Sequence, residues 1–201
     1  MYLSKVLISG SACHNQYEIH RELWTLFAED ADAQRDFLFR IVQIDRIRAE
    51  ILMQSARQPE HSSSTARIIA SKEYPLTLKI DQRLRFLLVA NPVKTIGDEC
   101  GRENKNGDLK KCRVPLIREE DHRNWIGRKL QNVATLETMI IEPGFPIRFR
   151  KGKENRAGKI QPVSFLGIIT IKDAQGLSEL VRNGIGPAKA FGCGMLSLAR
   201  A

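Results

Sequence analysis

The chain has 201 residues, a length that fits one large domain or two small ones. Hydrophobic residues make up 42% of it and charged residues 27%, a balance that excludes a chain disordered throughout. The net charge of +9 favours a polyanionic partner without identifying it. No stretch resembles a membrane span or a signal peptide, so we expect a cytoplasmic protein that does not contact a membrane.

The residues that usually bind metals are poorly placed for it. The four cysteines are scattered and form no C-x-x-C pair, so we expect reduced thiols rather than a zinc site or disulfides. The densest acids, Glu119 to Asp121, open a predicted helix, where carboxylates favour the helix dipole. We therefore expect neither a metal nor another cofactor.

The first half of the chain predicts a strand, a helix and further strands. YLSKVLIS alternates apolar and polar residues, and Asn15 can cap a helix from about Gln16 to Phe27. FLFRIVQI, AEILMQS and LRFLLVA are predicted strands. Residues 62–79 are ambiguous, because they fit either a helix followed by a strand or strands only.

The second half repeats this order. CRVPLI is a predicted short strand, Arg118 to Asn132 a helix, and LETMIIE and PVSFLGIITIK a strand pair, while Asp173 caps a helix that precedes the last strand, MLSLA. Two β-α-β-β-α-β units predict an α+β protein of two tandem ferredoxin-like (RRM-like) domains. We place the N-terminal domain at 1–90 and the C-terminal domain at 91–201.

The excess positive charge is concentrated in one segment. GFPIRFRKGKENRAGKI, residues 144–160, carries a net charge of +5 and lies between two predicted strands. A cationic run can be a merely solvated loop, but these flanks favour the tip and one arm of a β-hairpin, a projecting ribbon that could follow phosphates. Its basic residues are Arg148, Arg150, Lys151, Lys153, Arg156 and Lys159.

Four glycines lie in the eleven residues between the last helix and the last strand. Gly184, Gly186, Gly192 and Gly194 flank Lys189, and glycines at this density allow close approach to a phosphate. Neither the G-x-x-x-x-G-K-[ST] nor the G-x-G-x-x-G nucleotide motif is present. Gly184 could also be a plain helix C-terminal cap.

This glycine pattern resembles the loop of the repeat-associated RNA-binding superfamily found in CRISPR systems. MYLSKV, RDFLF, ANPVKT, CRVPLI and GIGPAKAFGCGMLSLA narrow the resemblance to the repeat-processing endoribonucleases of type I-E Cascade complexes, and it covers essentially the whole chain. It implies a protein that binds the stem-loop of a CRISPR repeat transcript and cuts at the 3′ base of the stem. The same resemblance implies that the protein keeps the resulting guide RNA and contacts other Cascade subunits.

The resemblance also implies which residues do the chemistry. The family's tyrosine and histidine fall on Tyr17 and His20 in YEIHRELW. An imidazole suits proton transfer, so we assign His20 to acid/base work, with protonation of the leaving oxygen as its expected step, and Tyr17 to orienting the ribose and phosphate. His14 is the alternative imidazole, and we expect His61 and His122 to lie in solvent.

Binding is expected to be separable from cleavage. The predicted RNA-binding residues are the six cations of the ribbon and the glycine loop with Lys189, joined by Arg21, Lys94 and Arg113. Two rival functions remain open: a non-catalytic RNA-binding scaffold of the same fold, and a basic ribosome- or assembly-associated protein whose glycine loop only turns the chain.

Overall fold

The structure is a computed structural model. It describes residues 1–27, 34–97, 101–103, 106–109, 111–151 and 156–201. At 149–151 and 156–157 the description is of the backbone. None of the helices in these ranges is long and apolar enough to cross a membrane.

The first domain is an antiparallel sheet of four strands with a helix packed on it. In chain order its elements are β1 (Tyr2–Ser9), α1 (Gln16–Trp24), β2 (Phe37–Ile44), β3 (Arg48–Ser55) and β4 (Ala66–Glu73). The strand order β2-β3-β1-β4 is that of a ferredoxin-like sheet. Ile19 and Leu23 of α1 are fully buried in the core, because helical spacing places both on the face toward the sheet.

The second domain repeats this architecture with both crossover helices. Its elements are β5 (Arg83–Ala90), α2 (Glu119–Leu130), β8 (Ala134–Pro143), β11 (Val163–Ile171), α3 (Ala174–Asn183) and β12 (Leu196–Arg200). Their sheet order, β12-β5-β11-β8, matches the first sheet when read from the opposite edge. The predicted fold of two tandem ferredoxin-like domains is confirmed.

Two hairpins stand outside these sheets. β6 (Val93–Gly97) pairs with β7 (Lys111–Pro115), and β9 (Ile147–Lys151) pairs with β10 (Arg156–Ile160). The second hairpin lies between β8 and β11 in the chain, where the cationic ribbon was predicted. The cationic run was predicted to form the tip and one arm of a hairpin; that prediction was wrong, because β9 and β10 pair with each other and the run supplies both arms.

One further element prediction needs correction. CRVPLI does not open the second sheet: its strand β7 pairs with β6, and β5, which contains LRFLLVA, has that role. Both segments look like strands locally, and only their pairing partners separate them. Strand pairing therefore favours a domain boundary within residues 74–82, ahead of β5, and the boundary stays a proposal.

The ambiguous segment at 62–79 contains a strand, β4, and no helix. The chain between β3 and β4 is instead a loop held against the end of α1, where the backbone N–H groups of Glu60 and His61 donate to the Leu26 carbonyl. The first domain thus lacks the second helix of the fold.

The predicted helix caps are confirmed. The Asn15 side chain accepts a hydrogen bond from the backbone N–H of Tyr17. The Asp173 carboxylate accepts from the N–H groups of Gln175 and Gly176. Each cap satisfies donors that a helix leaves free in its first turn.

Polar contacts join the two domains. The Gln54 amide donates to the Val181 carbonyl at 2.8 Å, and this bond is buried. The Arg40 guanidinium donates to the Ser197 hydroxyl at 3.3 Å. These contacts bring the end of α3 and the glycine loop close to β2 and β3.

Candidate active site and RNA-binding surface

The first turn and a half of α1 carries the predicted catalytic pair. The Asn15 cap fixes where the helix begins, and Tyr17 and His20 are three residues apart, so they lie on adjacent turns of one helix face. Tyr17 is 51% exposed. A phenol presented to solvent in this way is accessible to an RNA ligand.

His20 lies in an aromatic pocket. The ring centroid of Phe37 is 5.5 Å from that of His20, and those of Trp24 and Phe39 are both 6.3 Å away. Its Nε2 atom is buried and has no hydrogen-bond partner among the described residues. A buried polar atom without a partner is costly and is typical of a functional site.

The surroundings of His20 keep the imidazole neutral. Burial, and then the nearby charge of Arg35, lower the pKa of His20 from 6.5 to about 4, because both disfavour a second positive charge. At neutral pH the free protein therefore holds an uncharged ring that can accept a proton. Protonation of a leaving oxygen requires a bound phosphate to raise this pKa again.

This shifted pKa makes stability depend on pH. Between pH 6.5 and about 4 the unfolded chain binds a proton on residue 20 that the folded chain does not bind. The contribution of the neutral His20 ring to the free energy of unfolding is therefore fully present above the pKa of the unfolded chain. It is lost as the pH falls through this window. We expect urea unfolding to show a smaller loss of stability between about pH 7.5 and about pH 5 in His20→Gln than in the wild type. Identical losses would contradict the shifted pKa.

Arg21, the predicted phosphate contact next to His20, is exposed and forms an ion pair within its own helix. Its guanidinium pairs with the Glu18 carboxylate at 3.0 Å. An exposed ion pair of this kind contributes little to stability, so Arg21 could exchange it for a phosphate at small cost. Its RNA contact stays a prediction.

The β9–β10 hairpin brings like charges together. Its register places Arg148 opposite Lys159 and Lys151 opposite Arg156, with Arg150 opposite Ala157. The Arg148 and Lys159 side chains are exposed. Like charges directly across a strand pair repel each other, and a bound polyanion relieves that repulsion. Lys153 lies outside the described residues.

Lys94 and Arg113 are on the other hairpin. Lys94 is in β6 opposite Val114, and Arg113 is in β7 opposite Thr95, so the two cations are at adjacent register positions. Both are exposed. The β6–β7 pairing thus places these two cations near each other, whereas their contact with RNA stays a prediction.

The glycine loop packs between the two domains. Gly184 and Gly194 have φ angles of +71° and +92°, which favour glycine. A Cβ atom on Gly184 would lie 2.8 Å from the Leu38 side chain, and one on Gly194 would lie 2.9 Å from the Ile185 carbonyl oxygen. Packing therefore explains these two glycines, and the RNA contact predicted for them is not needed to account for their presence.

The remaining loop glycines are also close to side chains. A Cβ atom on Gly186 would lie 3.0 Å from the Trp125 ring, and one on Gly192 would lie 3.3 Å from the Phe39 ring. Gly192 is buried. Of the loop's predicted RNA contacts, Lys189 is the one with a charged side chain, and it begins a short 3-10 turn, Lys189–Phe191, that packs against α1 and β2.

The other histidines differ from the prediction in one case. His122 is 3% exposed, and its Nε2 is 2.9 Å from the Leu116 carbonyl oxygen, so the expectation that it lies in solvent was wrong. His61 is exposed as predicted. His14, the alternative catalytic imidazole, is exposed and bonds through Nε2 to the Arg46 carbonyl oxygen at 3.0 Å.

Sequence reasoning missed Arg35. It immediately precedes Asp36 and β2, its charge acts on both His20 and Lys189, and the motif that contains it served only to identify the family. An arginine in a charged chain carries no local signal of function. The described ranges contain no group of three or more His, Cys, Asp or Glu residues that could hold a metal ion.

Two ferredoxin-like domains in tandem, with a cationic hairpin and a neutral histidine near the charge of Arg35, define a class of protein suited to a polyanion. A family model described as CRISPR associated protein matches residues 1–200. The chain belongs to this CRISPR-associated family, as its sequence motifs indicated.

Curated relatives match the chain over its length. The CRISPR system Cascade subunit CasE of Escherichia coli strain K12 is 43% identical over 200 residues, which cover 99% of each chain. The CRISPR-associated endoribonuclease Cse3 of Thermus thermophilus is 28% identical over 221 aligned positions, which cover 99% of this chain and 100% of the relative.

Solved structures match it as well. The crystal structure of Cas6e from Escherichia coli K-12 superimposes with a TM-score of 0.85 at 42% identity, over 100% of both chains. The endoribonuclease Cse3 bound to a 19 nt RNA superimposes with a TM-score of 0.77 at 25% identity, over 99% of this chain and 100% of that one.

Proposed function

We propose that this protein is an endoribonuclease that binds the stem-loop of CRISPR repeat RNA, cleaves it at the 3′ base of the stem and remains bound to the guide RNA as a Cascade subunit. The relatives named Cascade subunit and endoribonuclease support this activity. The observation in the molecule that carries it is the buried Nε2 of His20, which has no partner in the part of the chain that the structure describes, beside the exposed phenol of Tyr17. We also place the protein in the cytoplasm, where repeat transcripts are made.

RNA supplies its own nucleophile. The 2′-OH next to the scissile phosphate gives its proton to a base or to water and attacks the phosphorus, and the bond to the 5′-oxygen breaks, so the products are a 2′,3′-cyclic phosphate and a 5′-hydroxyl. The protein must hold the reacting atoms in line, stabilise charge on the phosphorane and supply a proton to the leaving oxygen.

His20 is the group proposed for the proton step. Its pKa of about 4 would leave about one ring in a thousand protonated at neutral pH, so binding must change its surroundings. A phosphate placed beside the ring attracts the protonated form and offsets the positive charge of Arg35. RNA binding thereby prepares the acid, and a protein without RNA keeps an inactive neutral ring.

Tyr17 is proposed to orient the reacting ribose and phosphate. Its phenol is exposed, and it lies one turn before His20 on the same helix. A tyrosine hydroxyl can donate to a phosphate oxygen or accept from the ribose. We therefore expect Tyr17→Phe to slow cleavage while leaving the fold and binding of the stem intact.

Cleavage in the presence of EDTA tests the reaction class. We expect the purified protein to cut its repeat transcript equally well with and without the chelator, because the proposed steps use the 2′-OH and protein side chains. The product ends can be read by enzymatic end-labelling. Loss of cleavage on chelation, or a 3′-hydroxyl product, would contradict the proposal.

The same incubation separates the enzyme from a scaffold. A protein that binds the stem-loop tightly and leaves it intact over many hours would be a non-catalytic scaffold of the same fold. Equal affinity for the stem-loop and for scrambled RNA at matched salt would instead favour a general basic interaction protein.

A further inference from the structure

A crevice of about 680 Å³ lies where the glycine loop meets the first domain. It is formed by the start of β2 on one side and by the end of α3 with the glycine loop on the other. Its polar and charged lining residues include Arg35, Asp36, Arg182, Asn183 and Lys189. Cations outnumber acids among them.

The acid in this lining is already paired. The Asp36 carboxylate accepts two hydrogen bonds from the Arg57 guanidinium, at 2.7 and 3.2 Å. Neither Arg35 nor Lys189 forms an ion pair or hydrogen bond within the described part of the chain. The crevice therefore holds cations, Arg35 and Lys189 among them, whose charges no group in the described part of the chain balances.

Lys189 is half-buried and Arg35 lies at the exposed rim of the crevice, where neighbouring atoms displace part of its water. Burial lowers the pKa of Arg35, and burial followed by the charge of Arg35 lowers the pKa of Lys189. Two like charges that act on each other and have lost part of their water are unfavourable alone and attract an anion. Such a pair is typical of a binding site for a phosphate.

The pair lies next to the proposed catalytic group. Phe37, which lines the crevice, is 5.5 Å from His20 between ring centroids. The 3-10 turn that begins at Lys189 packs against α1, the helix that carries His20. A phosphate in the crevice mouth would thus be held by residues of both domains at the edge of the His20 pocket.

We propose that Arg35 and Lys189 form a phosphate-binding pair, one cation from each domain, that holds the phosphodiester at the cut against His20. The inference rests on the proposed function and names the residues that position its substrate. The planar guanidinium of Arg35 can bind two phosphate oxygens at once, whereas Lys189 contributes a point charge.

The pair has a structural consequence as well. Because the two cations belong to different domains, their repulsion acts across the domain contact, and a bound phosphate turns it into an attraction. RNA binding at this position therefore strengthens the contact between the domains at the place where cleavage occurs.

A double-mutant cycle between Arg35 and the phosphate charge tests the proposal. The RNA is the repeat stem-loop with a 2′-deoxyribose at the cut, which cannot be cleaved, made with either a normal phosphate or a neutral methylphosphonate at that position. We expect the methylphosphonate to weaken binding to the wild type by about tenfold or more, the effect of one hydrogen-bonded charge pair. In Arg35→Ala the same replacement should change affinity less than about threefold.

Arg46→Ala is the matched control. Arg46 is an exposed arginine just after the end of β2, whereas Arg35 is just before its start, so about 30 Å of strand separates the two. Arg46→Ala should keep the full response to the methylphosphonate. An equal response in Arg35→Ala and the wild type would overturn the proposal.

Cleavage of the ordinary RNA gives a second readout. We expect Arg35→Ala and Lys189→Ala each to slow single-turnover cleavage at saturating protein by about 10²-fold, and Arg35→Lys to recover part of the loss. A rate in Arg35→Ala equal to the wild-type rate would also overturn the pair. The two readouts can fail separately. A wild type that binds the RNA but does not cut it would refute the nuclease function. The binding cycle uses uncleavable RNA, so it would still decide whether Arg35 holds the phosphate.

Discussion

His20→Ala is expected to bind repeat RNA as tightly as the wild type and to cleave it about 10²- to 10⁴-fold more slowly, the range that general acid–base catalysis contributes. The ring lies among Trp24, Phe37 and Phe39, whereas the cationic hairpin is an insertion between β8 and β11 of the second domain, so removal of the ring should leave the hairpin's phosphate contacts intact. Single-turnover rates and equilibrium binding, measured on the same RNA, provide the comparison.

Two controls make this result specific. His14→Ala removes the exposed imidazole that was the alternative candidate, and it should cleave at the wild-type rate. His20→Gln keeps a side chain of similar size and separates lost chemistry from a cavity among the aromatic rings. A His20→Ala protein that cuts within about threefold of the wild-type rate would remove His20 from the reaction.

Charge reversal on the β9–β10 hairpin is expected to have the opposite effect. Arg148→Glu/Lys159→Glu replaces two exposed cations that face each other in the register. We expect affinity for the repeat stem-loop to fall by at least about 10²-fold and the salt dependence of binding to decrease by about two phosphate contacts. At saturating protein, the cleavage rate should stay close to that of the wild type.

The control for this variant carries the same change in net charge elsewhere. Arg46→Glu/Arg67→Glu reverses two exposed arginines in the first domain, and it should change affinity only through the weaker overall field. Equal losses in the two variants would show that net charge, rather than the hairpin, provides the affinity. Equal losses of affinity for the stem-loop in His20→Ala and the hairpin variant would contradict the separation of binding from cleavage.

Much of the fold could be predicted because its signals are local. Asn15 and Asp173 mark helix starts by their position and chemistry, and both side chains form the expected cap hydrogen bonds. The alternation in YLSKVLIS predicts β1 for the same reason. In contrast, choosing between LRFLLVA and CRVPLI as the first strand of the second sheet requires knowledge of pairing partners, which no local pattern contains.

The candidate site shows the same division. His20 and Tyr17 were found through a motif, and their placement on one helix follows from their spacing. The packing role of the glycine loop was missed because part of it depends on the other domain, where Leu38 faces Gly184 and Phe39 faces Gly192. Arg35 was missed because its importance comes from its proximity to two groups distant in sequence.

The burial of His122 was missed for a related reason. Its ring bonds to the carbonyl oxygen of Leu116, six residues earlier, and packs at a right angle to Phe165, with centroids 6.4 Å apart. A histidine in the charged sequence EEDHRNW looks solvent-exposed until the face of α2 that meets the sheet is known. Sequence patterns predict the elements, and contacts between distant segments decide which side chains are buried.

The most direct test of His20 as the proton donor uses RNA with sulfur in place of the bridging 5′-oxygen at the cut. A thiolate leaves without protonation, so loss of the acid should no longer matter for this substrate. We predict that His20→Ala cleaves the sulfur-substituted stem-loop within about tenfold of the wild-type rate, although it fails on the ordinary RNA. A defect of equal size on both substrates would contradict proton donation by His20.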